Sequence, residues 1–170
     1  MRRTSFADMS CSIARTLEIV GEWWTFLIVR EAFFGSRKFG EFERALGIAP
    51  NVLTQRLAKL VEGGILVVES TSQNGKALSY RLSPKGRDLF PVLVAMLQWG
   101  DKHASGPEGP PVRIVERRTG QAIAPMVMRA ASGEALDVSE VMPVPGPGAG
   151  EAVRRRMAEV AELTQSRCKA

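Results

Sequence analysis

Short and polar side chains recur along one side of the segment PNVLTQRLAKLVE, residues 50–62. The spacing of Leu53, Leu57 and Leu60 predicts a helix that buries these three leucines. The opposite side then carries Asn51, Thr54, Gln55, Ala58 and Lys59. Asparagine and glutamine can make paired hydrogen bonds to adenine, and threonine can contact the methyl group of thymine. The pattern predicts a surface for the major groove of double-stranded DNA, with an ordinary solvated polar face as the alternative.

Basic side chains accompany this helix. Arg56 and Lys59 can reach phosphates or guanine from the same segment. Arg37 and Lys38 precede a second predicted helix, residues 39–46, whose N-terminus can also offer backbone N–H groups to a phosphate. We therefore include all four residues in the predicted DNA-binding surface.

A predicted β-hairpin follows the 50–62 helix. Residues 65–69 and 78–82 have the composition of strands, and Asn74-Gly75 between them is a strong turn signal. At its polar tip, Gln73, Asn74 and Lys76 can enter the adjacent minor groove or lie along the DNA backbone. Two basic residues, Arg81 and Lys85, follow at its base. Two helices followed at once by a two-stranded ribbon suit grooved, negatively charged DNA.

The remaining apolar patterns predict the supporting elements. Helices are expected over residues 12–20 and 22–34, the second apolar enough to be a central core helix. A long helix is expected over about 84–103, and Pro91 predicts either a kink or a later start. The expected fold class is α+β, mainly α: a winged helix-turn-helix domain with a small C-terminal extension.

The composition changes after residue 103. We predict a DNA-binding and dimerisation domain over 1–103 and an extension over 104–170 that opens with the linker SGPEGPP. Within the extension we expect a small ribbon at 112–141, a flexible linker at 142–150 and a terminal helix at 151–167.

Bulk properties exclude several classes of function. The 170 residues carry a net charge of +5, with the excess in the first domain, although such a balance is also common on ordinary surfaces. One histidine and two cysteines, Cys11 and Cys168, argue against metal catalysis and Ser-His-Asp chemistry. We therefore expect no catalytic residue, no cofactor and no enzyme.

The expected location of the protein rests on two types of segment that are not found in the sequence, a membrane span and a secretory signal. The sequence contains no run of 18 apolar residues, so no membrane-spanning helix is predicted. The N-terminus, MRRTSFADMSC, has no apolar segment typical of a secretory signal. The expectation is a cytoplasmic protein without a membrane partner.

A homodimer is expected, because one such module covers about one DNA half-site. Candidate surfaces are the first helix and the long helix, particularly Met96, Trp99 and Gly100, unless these residues only complete the core of the monomer. A second apolar stripe could also pair between subunits or pack back on its own chain: Val153, Met157, Val160 and Leu163.

Three ordered stretches carry a family resemblance: CSIARTLEIVGEWWTFLIVREAFFG, RKFGEFERALGIAPNVLTQRLAKLVEGGIL and YRLSPKGRDLFPVLVAMLQWGD. Over about residues 10–103 they resemble the HxlR-type family of bacterial winged-helix regulators. The resemblance implies a homodimer that binds operator DNA, often as a repressor. It also implies that the recognition helix carries Asn51, Thr54, Gln55, Arg56 and Lys59, and that residues 73–76 form the wing tip.

The same resemblance suggests a sensing role for Cys11, which lies just before the first helix. In some relatives that cysteine senses electrophiles, quinones or oxidants, through thiolate attack or disulfide formation. Arg15, one helical turn further on, could assist. A small residue without a sensing role is the alternative.

Two positions depart from the family pattern. Ala49 stands where a small hydroxyl residue often caps the recognition helix, and alanine cannot cap, a loss of about 1 kcal/mol, so either another group caps this helix or its start is shifted. Many relatives carry paired cysteines in the C-terminal ribbon, whereas this chain has none between residues 12 and 167. Because tetrahedral zinc needs four Cys or His ligands, we predict a ribbon without metal.

Two questions of function stay open at this level. A small-molecule inducer could bind an apolar pocket between the long helix and the core helix, lined by Trp23, Trp24 or Phe26, unless these aromatics are core. The chain could also be a winged-helix module for protein–protein interaction without base-specific DNA binding. The favoured interpretation is a sequence-specific DNA-binding transcriptional regulator, expected to repress and to respond to a ligand or to thiol modification.

Overall fold

The computed structural model describes residues 5–70 and 78–167, which form a mainly helical chain with one small sheet. The helices are α1 (Ser12–Val20), α2 (Trp23–Phe34), α3 (Phe39–Leu46), α4 (Pro50–Glu62), α5 (Pro84–Arg87), α6 (Phe90–His103) and α7 (Glu151–Arg167). The strands are β1 (Leu66–Ser70) and β2 (Leu78–Leu82). The predicted class, a winged helix-turn-helix domain with a small extension, is confirmed.

The described residues fall into two compact units. One is Thr16–Met126, and the other joins the residues up to Arg15 with those from Val127 onward. The predicted domain boundary after residue 103 rests on composition and stays a prediction. Among the described residues, no helix has the length and apolarity that a membrane crossing requires.

Helix α2 lies at the centre of the larger unit, as its apolar sequence predicts. Its buried residues include Ile28, Val29 and Ala32, and the helix ends at Gly35, whose φ of 113° is readily adopted only by glycine. Side chains from the surrounding elements complete the core: Val20, Phe42, Ile48, Leu53, Leu57, Leu60, Ile65 and Leu66. The core therefore holds α3, α4 and the base of the sheet against one helix.

The aromatic residues at the start of α2 divide between core and surface. Trp24 and Phe26 are partly buried against the core, as the simpler interpretation expects. Trp23 is 92% exposed, so its assignment to the core was wrong. It occupies the first position of α2, where the helix begins one residue later than predicted and Glu22 is the N-cap.

Strands β1 and β2 pair antiparallel, with Leu66 opposite Leu82 and Val68 opposite Tyr80. Strand β1 starts one residue later than predicted, because the N–H of Ile65 donates to the carbonyl of Leu60 and so closes α4. The hairpin tip, residues 71–77, lies outside the described residues.

The chain after β2 forms two helices, α5 and α6, so of the two alternatives predicted for residues 84–103, a kink or a later start at Pro91, the later start is confirmed for the long helix. Pro91 falls in the first turn of α6, where its missing N–H needs no partner, and α5 ends before it. Ser83 caps α5 by accepting from the N–H of Gly86 at 2.9 Å and donates to the carbonyl of Gly64 at 2.6 Å. At Gly86 an added Cβ would lie 2.2 Å from the carbonyl oxygen of Ile65, so this packing requires glycine.

The ribbon expected at 112–141 is reduced to isolated contacts. Val115 bridges Ala122 around a turn in which Gly120 has a φ of 70°, and Arg129 bridges Ala135. Around the first turn the N–H of Glu116 donates to the carbonyl of Gln121 at 2.8 Å and the N–H of Ile123 donates to the carbonyl of Ile114 at 3.2 Å, so a short hairpin without full strands lies where part of the ribbon was expected. Residues 142–150 form no helix or strand, and the terminal helix α7 has the predicted range.

Candidate nucleic-acid interface

The outer face of α4 comprises Asn51, Thr54, Gln55, Ala58 and Lys59, and all five residues are exposed. Leu53, Leu57 and Leu60 are fully buried on the opposite side. Helical periodicity therefore separates the two faces as the sequence predicts. Nothing from the larger unit's described residues covers the outer face, so it has the exposure that a groove-binding helix needs.

Local hydrogen bonds determine which polar groups of the outer face are available to a ligand. The hydroxyl of Thr54 donates to the carbonyl of Pro50 at 2.8 Å, which uses its proton. The side-chain oxygen of Asn51 accepts from the N–H of Val52 at 2.9 Å. The side chains of Gln55 and Lys59 have no hydrogen-bond or ion-pair partner in the part of the chain that the structure describes. Their amide and ammonium groups are therefore available to a ligand.

The N-cap residue of α4 contributes no side-chain cap, although Asn51 in the first turn accepts from the N–H of Val52. Ala49 is the N-cap residue and makes no side-chain hydrogen bond, whereas Pro50 occupies the first helical position. The expected departure from good capping is confirmed, and the helix begins at Pro50 despite it.

Arg56 lies elsewhere than on the outer face. Its Nη2 is 3.0 Å from the Oε2 of Glu22, and the side chains of the two residues are 17% and 29% exposed. Its Nε is buried and has no partner among the described residues. The arginine expected to reach phosphates or guanine is thus engaged with the N-terminus of α2.

Arg37 and Lys38 join three elements. The Nη1 of Arg37 donates to the carbonyls of Ala32, at 2.8 Å, and Ser36, at 3.0 Å, at the end of α2. Lys38 is exposed, and its backbone bridges Ser79 of β2. Of these two predicted DNA contacts, Lys38 presents its side chain to solvent, whereas Arg37 is half-buried and bonded to the protein.

A carboxylate of the protein itself, that of Glu41, lies at the N-terminus of α3. The carboxylate of Glu41 accepts from the backbone N–H of Arg37 at 2.7 Å and of Lys38 at 3.0 Å. These two hydrogen bonds, Arg37's first, hold the pKa of Glu41 below its ordinary value of 4.5. The N–H groups just before α3 are therefore not free for a phosphate.

The base of the wing is also internally paired. Arg81 forms an ion pair with Glu69 across the two strands, and the Nζ of Lys85 donates to the carbonyl of Gly63 at 2.7 Å. The predicted contacts at the tip, Gln73, Asn74 and Lys76, lie outside the described residues.

Sequence reasoning missed three acidic partners: Glu22, Glu41 and Glu69. A signal existed for two of them, since Glu41 stands three residues after the N-cap and Glu69 lies diagonally across a recognisable hairpin from Arg81. No local signal marks Glu22, because α3 and α4 bring Arg56 back to it.

The predicted ligand pocket has a different lining. An apolar cavity of about 250 Å³ lies between α2 and α6, bounded among others by Arg30, Phe34, Phe90, Leu93 and Met96. None of the three aromatics proposed from the sequence lines it. A cavity at this place is therefore present, but the residues assigned to it were wrong.

A family model for the HxlR-like helix-turn-helix matches residues 19–107, which include α2 to α6 with the recognition helix and the wing. The chain belongs to the HxlR-like helix-turn-helix family. A Mycobacterium tuberculosis relative, named as an uncharacterized HTH-type transcriptional regulator, is 44% identical over 137 residues, 81% of this chain and 87% of that protein. This HxlR-like chain is therefore a transcriptional regulator with a helix-turn-helix DNA-binding domain.

Solved structures agree with the family assignment. The crystal structure of PA1607, described as a candidate transcription factor, has a TM-score of 0.79 and 42% identity over 84% of this chain and 100% of that one. The redox regulator HypR in its reduced form has a TM-score of 0.51 and 29% identity over 54% of this HxlR-like chain and 92% of HypR. The winged-helix fold thus recurs in both neighbours.

Proposed function

We propose that this HxlR-like protein is a homodimeric repressor that binds operator DNA sequence-specifically through the outer face of α4. The observation that carries the proposal is the exposure of Asn51, Gln55 and Lys59 beside the buried leucines of the same helix. Two amides and one cation suit base edges and a phosphate, respectively. The exposed methyl of Thr54 adds a contact suited to thymine.

Dimerisation is supported by apolar side chains that the described fold does not cover. On α6, Trp99 is 66% exposed and Met96 is 50% exposed, and on α1 Ile13 is 72% exposed. Single exposed apolar residues are common, but large ones clustered on one helix mark interaction surfaces. A two-fold pair of modules would bind two half-sites of one operator.

Selection from a random-sequence duplex library tests the DNA-binding part. We expect a recurring motif with two related half-sites, whose affinity falls steeply with salt, on the order of 10³-fold between 50 and 200 mM if about six phosphates are contacted. Recovery of no shared motif, together with no mobility shift at low salt, would favour the protein–protein module.

Repression is the output that occupancy of a promoter produces directly, since a bound dimer and polymerase compete for the same DNA. The test is the transcript level of genes next to the selected site in cells with and without the protein. Transcripts should rise when the protein is removed, and a fall would replace repression with activation.

Thiol modification is the regulatory input that we favour. Cys11 is exposed and carries a free thiol one residue before α1, and the fold neighbour HypR is named a redox regulator. Treatment with a quinone or diamide should lower DNA affinity of the native protein and leave Cys11→Ser unaffected. An equal response in both would exclude this cysteine and turn attention to a small ligand in the cavity between α2 and α6.

A further inference from the structure

The guanidinium group of Arg56 is bonded and partly buried within the protein. One terminal nitrogen pairs with Glu22 at 3.0 Å, and the adjacent Nε is buried without a partner among the described residues. An arginine that recognises guanine or phosphate uses two such neighbouring N–H groups together. In this arrangement Nε is shielded from DNA and one N–H of Nη2 is paired with Glu22, so the edge formed by Nε and Nη2 is not open to a bidentate contact with DNA.

The position of Arg56 on the helix agrees with this assignment. With about 100° between successive residues, Arg56 lies about 60° from Leu53 and about 140° from Asn51. It therefore lies at the border between the buried leucines and Lys59, which is also about 60° away, and its side chain is only 17% exposed. Lys59, by contrast, is exposed, and its ammonium group has no partner in the described part of the chain.

Glu22 joins this contact to a different part of the fold. It is the N-cap of α2, the helix whose residues Ile28, Val29 and Ala32 lie in the core. The pair therefore spans from the central helix to the middle of α4. Withdrawing Arg56 toward DNA would break the pair and leave a partly buried carboxylate without this cation, which is unfavourable.

We propose that Arg56 is a positioning residue: through Glu22 it fixes the orientation of α4 on α2, and it does not contact DNA. The proposal rests on the proposed function and refines it, because base recognition then falls to Asn51, Thr54 and Gln55. Since asparagine and glutamine suit adenine and the threonine methyl suits thymine, the bases under α4 should be A·T pairs.

The first experiment compares Glu22→Gln, Arg56→Gln and the control Lys59→Gln on the duplex selected by the wild-type protein. At temperatures where each variant is fully folded by circular dichroism, Glu22→Gln and Arg56→Gln should weaken binding by a similar factor, about tenfold. Both should keep the wild-type dependence of affinity on salt, whereas Lys59→Gln should lower its log–log slope by about one.

Two results would overturn the proposal. If Arg56→Gln lowers the salt slope by about one, or relaxes preference at a G·C pair, while Glu22→Gln binds normally, then Arg56 contacts DNA. If both folded variants bind as tightly as the wild type, the pair only stabilises the fold.

A second experiment needs no DNA and separates this proposal from the proposed function. Thermal unfolding midpoints are measured for the wild type, both single variants and the double variant. A coupled pair predicts that the double variant loses no more than the worse single variant. Additive losses would refute the positioning role of the Arg56–Glu22 pair even if the protein binds DNA. If the pair is coupled but the protein binds no duplex, only the repressor function and the role of the pair in DNA binding are refuted.

Discussion

At the residue scale, exposure decides which polar side chains can act. Gln55 and Lys59 are the outer-face residues whose polar groups make no bond within the described part of the chain, whereas Thr54 has donated its proton to Pro50. An amide and an ammonium at adjacent turns of one helix should contribute differently to binding, one to base choice and the other to charge.

Substitution at these two positions should separate specificity from affinity. Gln55→Ala should relax the preference at one base position by about 1–3 kcal/mol and leave the salt slope unchanged. Lys59→Gln should weaken binding to all sequences alike. Competition assays with selected and mutated duplexes at several salt concentrations measure both, and a uniform loss in Gln55→Ala would contradict its role in base readout.

The lowered pKa of Glu41 gives a prediction about pH. The ionised carboxylate accepts two backbone N–H groups in the native state, so its stabilisation is present above the unfolded-state pKa and is lost as pH falls through the lower native pKa. Glu41→Gln should therefore be less stable than the wild type at pH 7, and the difference should vanish well below pH 4.5. Urea unfolding at several pH values measures this, and a gap that persists at the acid end would show another cause.

At the element scale, the start of α4 leaves an unused opportunity for stabilisation. Ala49 has an extended backbone with φ −60° and ψ 135°, which suits an N-cap residue, but it offers no side-chain acceptor. The backbone at position 49 could therefore accommodate a capping hydroxyl side chain, which alanine does not have.

Ala49→Ser should raise the free energy of unfolding by about 1 kcal/mol, because the serine oxygen can accept from an N–H of the first turn. The matched control is Ala58→Ser, an exposed position in the middle of the same helix, which should be slightly destabilising, by about 0.5 kcal/mol. Urea titrations of the two variants provide the comparison. Equal effects would mean that capping is not what limits the stability of α4.

Element boundaries were the most predictable feature of the fold. Helices α1, α3 and α4 have the predicted bounds because apolar periodicity and stops such as Gly47 are local properties of the chain. The break between α5 and α6 was only partly predictable, since Pro91 disfavours a helix interior but does not say where the preceding helix ends. Burial of the recognition-helix leucines followed from spacing alone.

The partners of charged residues were much less predictable. Arg37, Arg56 and Arg81 were all assigned to DNA from their type and position, yet each bonds to a group of the protein. An arginine looks the same in the sequence whether it faces phosphate or a carboxylate brought near by tertiary folding. Only the folded chain separates the exposed Lys59 from the half-buried Arg56.

At the scale of the whole molecule, the exposed apolar side chains of α6 are central. The rings of Trp99 and His103 contact each other at a tilt of 44°, with 5.2 Å between their centroids, and Trp99 is still 66% exposed. Its own chain therefore does not bury it in the described structure, which supports the assignment of this helix to the dimer interface.

Trp99→Ser should shift the protein toward monomer and weaken operator binding, because two half-sites would no longer be held by one molecule. Val138→Ser, which removes an equally exposed apolar group in the smaller unit, is the control and should do neither. Sedimentation velocity measures the oligomeric state. A Trp99→Ser variant that remains dimeric would place the interface elsewhere.

The link between the wing and the start of α3 has a mechanical consequence. The carbonyl of Arg37 accepts from the N–H of Tyr80 at 2.7 Å, and Lys38 bridges Ser79, so the hairpin is stitched to the corner between α2 and α3. The hairpin therefore cannot change its orientation unless the corner between α2 and α3 moves with it. In the proposed homodimer, a signal that releases DNA would then act by rotating whole protomers and changing the separation of their recognition helices, and not by moving one hairpin alone.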